Sequence, residues 1–137
     1  MTRNILLSAL FLMLVAACNK ADTPNQVGER ALMAYLRCSL TDLEQIAQPQ
    51  VVEQMRWRLS NLSGEEMQQL LAVEPQVSTD NSSVEGNTCY LLLNAKDALL
   101  IDSIGQPAHV GNRQFSLVLV KDSEKGTWHV ESLEESE

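Results

Sequence analysis

The chain is short of positive charge. Ten Lys and Arg stand against eighteen Asp and Glu, a formal net charge of −8 over 137 residues. Such an acidic surface repels phosphate backbones and anionic headgroups, which argues against a nucleic-acid partner. No basic stripe with interleaved aromatics runs through any segment. Histidine is scarce as well: His109 and His129 have no Cys or carboxylate at ligand spacing, so no metal site is expected. The chain lacks a glycine-rich phosphate loop, a nucleophile elbow and a paired-carboxylate motif, so no cofactor is expected. Nor does any apolar run reach the ~20 residues that a helix needs to span a bilayer.

What is there begins with an export signal. Arg3 supplies a positive start, and residues 5–17 are apolar apart from Ser8. Ala16 and Ala17 provide the small side chains that a signal peptidase requires. The run ends in Leu14-Val15-Ala16-Ala17-Cys18, and Val15-Ala16-Ala17-Cys18 resembles the bacterial lipobox at every position. That resemblance implies that residues 1–17 are a lipoprotein signal peptide removed during export. Cys18 would then carry a diacylglyceryl group and an acylated amino terminus. Two or three acyl chains, at ~0.8 kcal/mol per buried methylene, anchor a protein stably where one does not. The other readings are an ordinary signal with an incidental cysteine, or an uncleaved anchor. Asn19 follows the cysteine where inner-membrane lipoproteins of enterobacteria carry Asp, which implies the outer membrane, facing the periplasm. Loss of residues 1–17 removes Arg3 and no acid, taking the charge from −8 to −9.

An oxidising compartment changes the meaning of the remaining cysteines. Cys38 and Cys89 are too far apart for a redox pair. They read as a structural disulfide worth about 4 kcal/mol by loop entropy. Two buried free thiols packing as small apolar residues are the alternative.

Residues 18–25 are polar and contain Pro24, and read as a lipidated tether. Thr23 or Asn25 is placed to cap the first helix of the domain. Residues 26–133 read as a single domain, within the usual size range. Val27, Ala31, Ala34, Tyr35 and Cys38 recur at helical spacing, which predicts a helix over 26–40. Thr41-Asp42-Leu43-Glu44 has the capping-box form, with a short helix over 42–47. Pro49 suits the first turn of a third helix, whose stripe is Val52, Met55, Leu59 and Leu62. Ser63-Gly64-Glu65-Glu66 repeats the capping signal, and Pro75 closes the helical half. Residues 77–87, rich in Ser, Asn, Asp and Gly, read as a loop with at most a short strand at its start. Residues 88–94 and 98–104 read as two strands joined by a tight Ala95-Lys96-Asp97 connection, and Gly111-Asn112 as another turn. Residues 113–121 alternate as a strand, 122–126 form a hairpin loop and 127–133 return as the last strand. The acidic end, 134–137, reads as a frayed tail.

Helices followed by strands predict an α+β fold, with amino-terminal helices packed on a curved antiparallel meander of four to five strands. The closing Lys121-Asp122-Ser123-Glu124-Lys125-Gly126-Thr127-Trp128-His129-Val130, after three helices and a meander, resembles the nuclear transport factor 2-like superfamily over about residues 25–133. The resemblance implies a cone whose mouth holds a ligand or is plugged by side chains, and dimers formed through the sheet. Its enzymes use an acid or a His–Asp pair inside the cone. Here Asp97, Asp102, His109 and His129 stand at no spacing that identifies such a pair.

Trp128 and His129 point to opposite faces by alternation, with Trp128 the core candidate and His129 at the rim. Trp57, off the apolar stripe between Arg56 and Arg58, is either a docking spot or part of a second buried helical face; burial is the expectation. Two functions are compatible with these features. One is a non-catalytic envelope lipoprotein that binds a protein partner or its own copy. The other is a small-ligand carrier or cone-pocket enzyme, with groups such as Tyr35, Asp102 or His129 converging on a cavity.

Overall fold

The structure, a computed structural model, describes residues 22–103 and 105–136. The signal, the lipobox and Cys18 lie outside them. Among the described residues four helices precede four strands, an α+β architecture. The helices are α1 (Pro24–Leu36), α2 (Leu40–Ile46), α3 (Pro49–Ser60) and α4 (Gly64–Ala72).

Local chemistry explains the helix limits. The Thr23 side chain accepts from the Gln26 N–H and the Gln26 side chain accepts from the Thr23 N–H, a complete capping box ahead of Pro24. Helix α1 ends in a Schellman turn, with Ser39 N–H donating to Ala34 O and Cys38 N–H to Tyr35 O. Cys38 occupies its left-handed position at φ 56°, a place usually held by glycine. Ser39, not Thr41, precedes α2, and its hydroxyl donates to Asp42. Ser63 and Glu66 form the second capping box, at the start of α4.

The strands are β1 (Gln76–Glu85), β2 (Thr88–Leu100), β3 (His109–Lys121) and β4 (Trp128–Ser136), antiparallel in the order β1-β2-β3-β4. Three expectations are corrected here. The polar segment 77–87 is mostly strand: it pairs with β2 from Gln76↔Lys96 to Glu85↔Thr88 and turns at Gly86, φ 61°. Its polar residues suit an edge strand; Thr79 and Ser82 bond to Glu29 and Asn25 of α1. Next, β2 is a single strand. On the β3 side Lys96 and Asp97 oppose the single residue Asn112, whose side chain accepts from the Asp97 N–H, so two apparent turns facing each other make one β-bulge. Finally, residues 134–136 are not frayed, because they pair with Gln114, Phe115 and Ser116.

One face of the sheet carries Cys89, Leu91, Leu93, Phe115, Leu117, Leu119, Trp128, Val130 and Leu133 against α1, α2 and α3. Gly28 on α1 lets the helix approach Leu91: a Cβ there would collide with a Leu91 methyl. The other face keeps Tyr90 exposed.

Cys38 and Cys89 are free thiols, which corrects the expected disulfide. The Cys38 thiol lies beside the Arg58 guanidinium, and Arg58 donates to the carbonyl of Leu99, at the far end of β2 from Cys89. Leu99 lies ten residues along the strand from Cys89, roughly 30 Å at ~3.3 Å per residue, before any shortening at the bulge. A disulfide tolerates a Cα separation of only about 7 Å.

Candidate functional site

The site is built on α3, which presents three different faces. Val51, Val52, Met55 and Arg58 are buried inward, so the buried face is turned from the expected Val52/Met55/Leu59/Leu62 stripe. Gln50 and Gln54 lie along the free edge of β4 and donate to the carbonyls of Glu131 and Leu133, at 3.0 and 2.9 Å. Just before the helix, the Gln48 N–H bonds to Val130 O. These donors occupy backbone groups that an open sheet edge would offer to another strand. Trp57 points outward, 48% exposed, which overturns its expected burial.

Arg58 is the residue that sequence reasoning missed. Only 3% exposed, it stacks over the Tyr35 ring at 5.7 Å and donates to the carbonyls of Leu36 and Leu99. Leu36 ends α1, where the helix dipole favours a cation. The Arg58 Nε finds no partner among the described residues. Burial raises the Tyr35 and Cys38 pKa values above their ordinary ones, and the neighbouring Arg58 charge partly offsets this. Both groups therefore stay protonated at neutral pH.

Above this buried layer lies an open groove of about 550 Å³ between α3 and the end of β4. Tyr35 reaches it from the core, Ile101 and Leu133 add apolar surface, and Trp57 contributes its exposed indole. Glu53, Asp102 and Glu135 supply three carboxylates; no Lys or Arg lines the groove. Two depressions of similar or larger size, about 610 Å³ along α1 and about 590 Å³ across the β2–β3 bulge, contain no aromatic side chain.

The carboxylates are held from outside. Arg113 donates to Asp102 at 2.7 Å and to Glu135 at 3.0 Å, while His109 Nε2 lies 2.8 Å from the other Asp102 oxygen. Hydrogen bonding to Arg113, then to His109, lowers the Asp102 pKa. Sequence spacing did not reveal this His–Asp contact because the ends of β2 and β3 create it. The signal was nonetheless present: His109 and Arg113 fall four residues apart, on one antiparallel strand beside Asp102.

Of the other candidates, Trp128 is buried in the core, with Lys121 Nζ 6.0 Å from its ring. His129 is half-buried and lies 3.3 Å from the Thr127 hydroxyl. These two line a separate hollow of about 260 Å³ with Val27 and Ile46. Tyr35, Trp57 and Asp102 thus meet in one groove, and Trp128 and His129 do not join them.

No family model matches the chain, and no curated protein matches it. Among solved structures, a de novo designed β-sheet protein determined by solution NMR is similar, with a TM-score of 0.44 and 16% identity; the match covers 82% of this chain and 86% of that one.

Proposed function

We propose that the protein is a lipid-anchored lipoprotein of the bacterial envelope, attached through Cys18, that works as a non-catalytic binding or assembly module in the periplasm. The anchor rests on the lipobox at residues 15–18. The binding role rests on one observation: Trp57, a large indole in an acidic chain, stands exposed beside an open groove on a helix whose inner face is packed into the core. Trp is enriched at interface hot spots, and a helix with its inner face packed presents such a residue rigidly. The partner is another protein or a second copy of the chain, with the acyl group supplying membrane attachment to the outer membrane.

A second reading keeps the cone of the nuclear transport factor 2-like proteins as a small-ligand carrier or enzyme. The 2.8 Å His109–Asp102 contact favours it, since a histidine oriented by a carboxylate is a proton-transfer element. Against it, Phe115, Leu93 and Leu117 are fully buried between helices and sheet, where a cone would be open.

The test is crosslinking in the native host with a photoreactive residue at position 57, alongside a Cys18→Ser control. The proposal expects one discrete partner, captured by the tethered protein and lost on release from the membrane. Recovery of uncrosslinked chain alone, from the tethered form, would contradict the binding role. Mature protein without acyl mass on Cys18 would contradict the anchor.

A further inference from the structure

The tether and the groove lie at opposite ends of the domain. The turn at Gly86 and the loop over 122–126 close one end of the sheet, where the Lys121 N–H donates to Asn87 O. Helix α1 begins at that end. Ser82, near the close of β1, donates to Asn25, and Asp22 borders the same hollow as Thr127, Trp128 and His129. From there α3 runs alongside β4. Gln48 bonds at Val130, Gln50 at Glu131 and Gln54 at Leu133, so Trp57 arrives beside Glu135. Trp128 and Glu135 are seven residues apart on β4, roughly 20 Å with the bulge taken into account.

Little chain joins the near end to a lipid. Residues 19–21 alone separate Cys18 from Asp22, and the four Cα steps between those two residues span at most ~15 Å. Turned groove-first onto a membrane, the domain would hold Asp22 about 20 Å above the lipid, farther than that chain reaches. Lying on one side is opposed by charge, because a chain of net charge −8 is repelled by anionic headgroups.

We infer, resting on the anchor reading above, that the domain stands on its turn end. The Gly86 turn and the 122–126 loop face the lipid surface, and the Trp57 groove is held on the side away from it. The groove therefore meets a partner protein that approaches through the periplasm, and not the anchoring bilayer or a segment embedded in it.

The experiment uses the acylated protein in nanodiscs of phosphatidylethanolamine and phosphatidylglycerol, with 5-fluorotryptophan at both tryptophans. Trp128 reports on the turn end and Trp57 on the groove end. Trp57→Phe assigns the two fluorine resonances, and a gadolinium chelate on a fraction of the headgroups broadens each according to its distance. With an offset of about 20 Å along β4, the expected broadening is at least about fivefold greater at Trp128 than at Trp57. Equal broadening would lay the domain on its side, and stronger broadening at Trp57 would press the groove onto the lipid; either result overturns the inference. No broadening at either position, in protein whose acyl mass has been verified, would overturn it as well. Absence of the acyl mass would overturn the anchor reading beneath it, and mass measurement separates that failure from the others.

Discussion

Arg58 and Trp57 are neighbours on α3 and meet opposite surroundings. The guanidinium is sealed against Tyr35 and two backbone carbonyls, while the indole stands half in water over a groove. The inward side of the helix holds the end of α1 against the end of β2. The outward side touches little that the fold requires. A polar group buried for structure and an apolar group exposed at a groove assign the two faces different work: one assembles the domain, and the other is free to recognise something.

That comparison breaks most easily at Arg58. Arg58→Ala leaves a void and orphans the carbonyls of Leu36 and Leu99, and a loss of about 2–4 kcal/mol is expected in urea unfolding. A change below about 0.5 kcal/mol would mean that the guanidinium contributes nothing net. The edge-facing side ranks next. Gln50→Ala with Gln54→Ala removes two side-chain bonds to β4, worth about 1–2 kcal/mol together. It also uncovers the sheet edge, so light scattering at high concentration should rise.

Acid provides a graded test remote from α3. Hydrogen bonds from the Ser63 and Ala108 N–H groups to Glu66 lower its pKa. Because the folded value lies below the unfolded one, its stabilising effect is complete above the ordinary 4.5 and fades as pH falls through the lowered value. Stability measured against pH should decline below that point, and Glu66→Gln should make the decline shallower; an unchanged slope would count against the contact. At the small end, Trp57→Ala should shift stability by no more than about 0.5 kcal/mol, since the indole packs little of the core.

The thiols supply a test by counting. With Cys18→Ser, denatured but unreduced protein should titrate two free thiols per chain, from Cys38 and Cys89. None would restore the disulfide.

Much of the helical half was legible because its signals are local. The caps at Thr23 and Ser63, the placement of Pro49 and the opposite facing of Trp128 and His129 depend on chemistry within a few residues. The α+β class came from the order of periodicities. Features that depend on distant partners were not legible. The composition of β1 is that of a loop, and only pairing to β2 makes it a strand. The β2 bulge appears as a turn until Asn112 is placed opposite it. On α3, Val51/Val52 and Arg58/Leu59 offer alternative phases. The acceptors that admit an arginine to the interior, Leu36 O and Leu99 O, are 22 and 41 residues away in the chain. The groove inherits this: Trp57 was visible as a candidate, but its exposure is a consequence of the burial of Arg58.

The most direct measurement pairs folding with capture for one variant. Trp57→Ala and the unaltered protein would each be unfolded in urea and each crosslinked in the host from a photoreactive residue at Glu53. Unchanged stability with loss of the captured partner is the expected result. Unchanged stability with undiminished capture, or capture lost only because the domain has unfolded, would contradict a binding role for the outward face of α3.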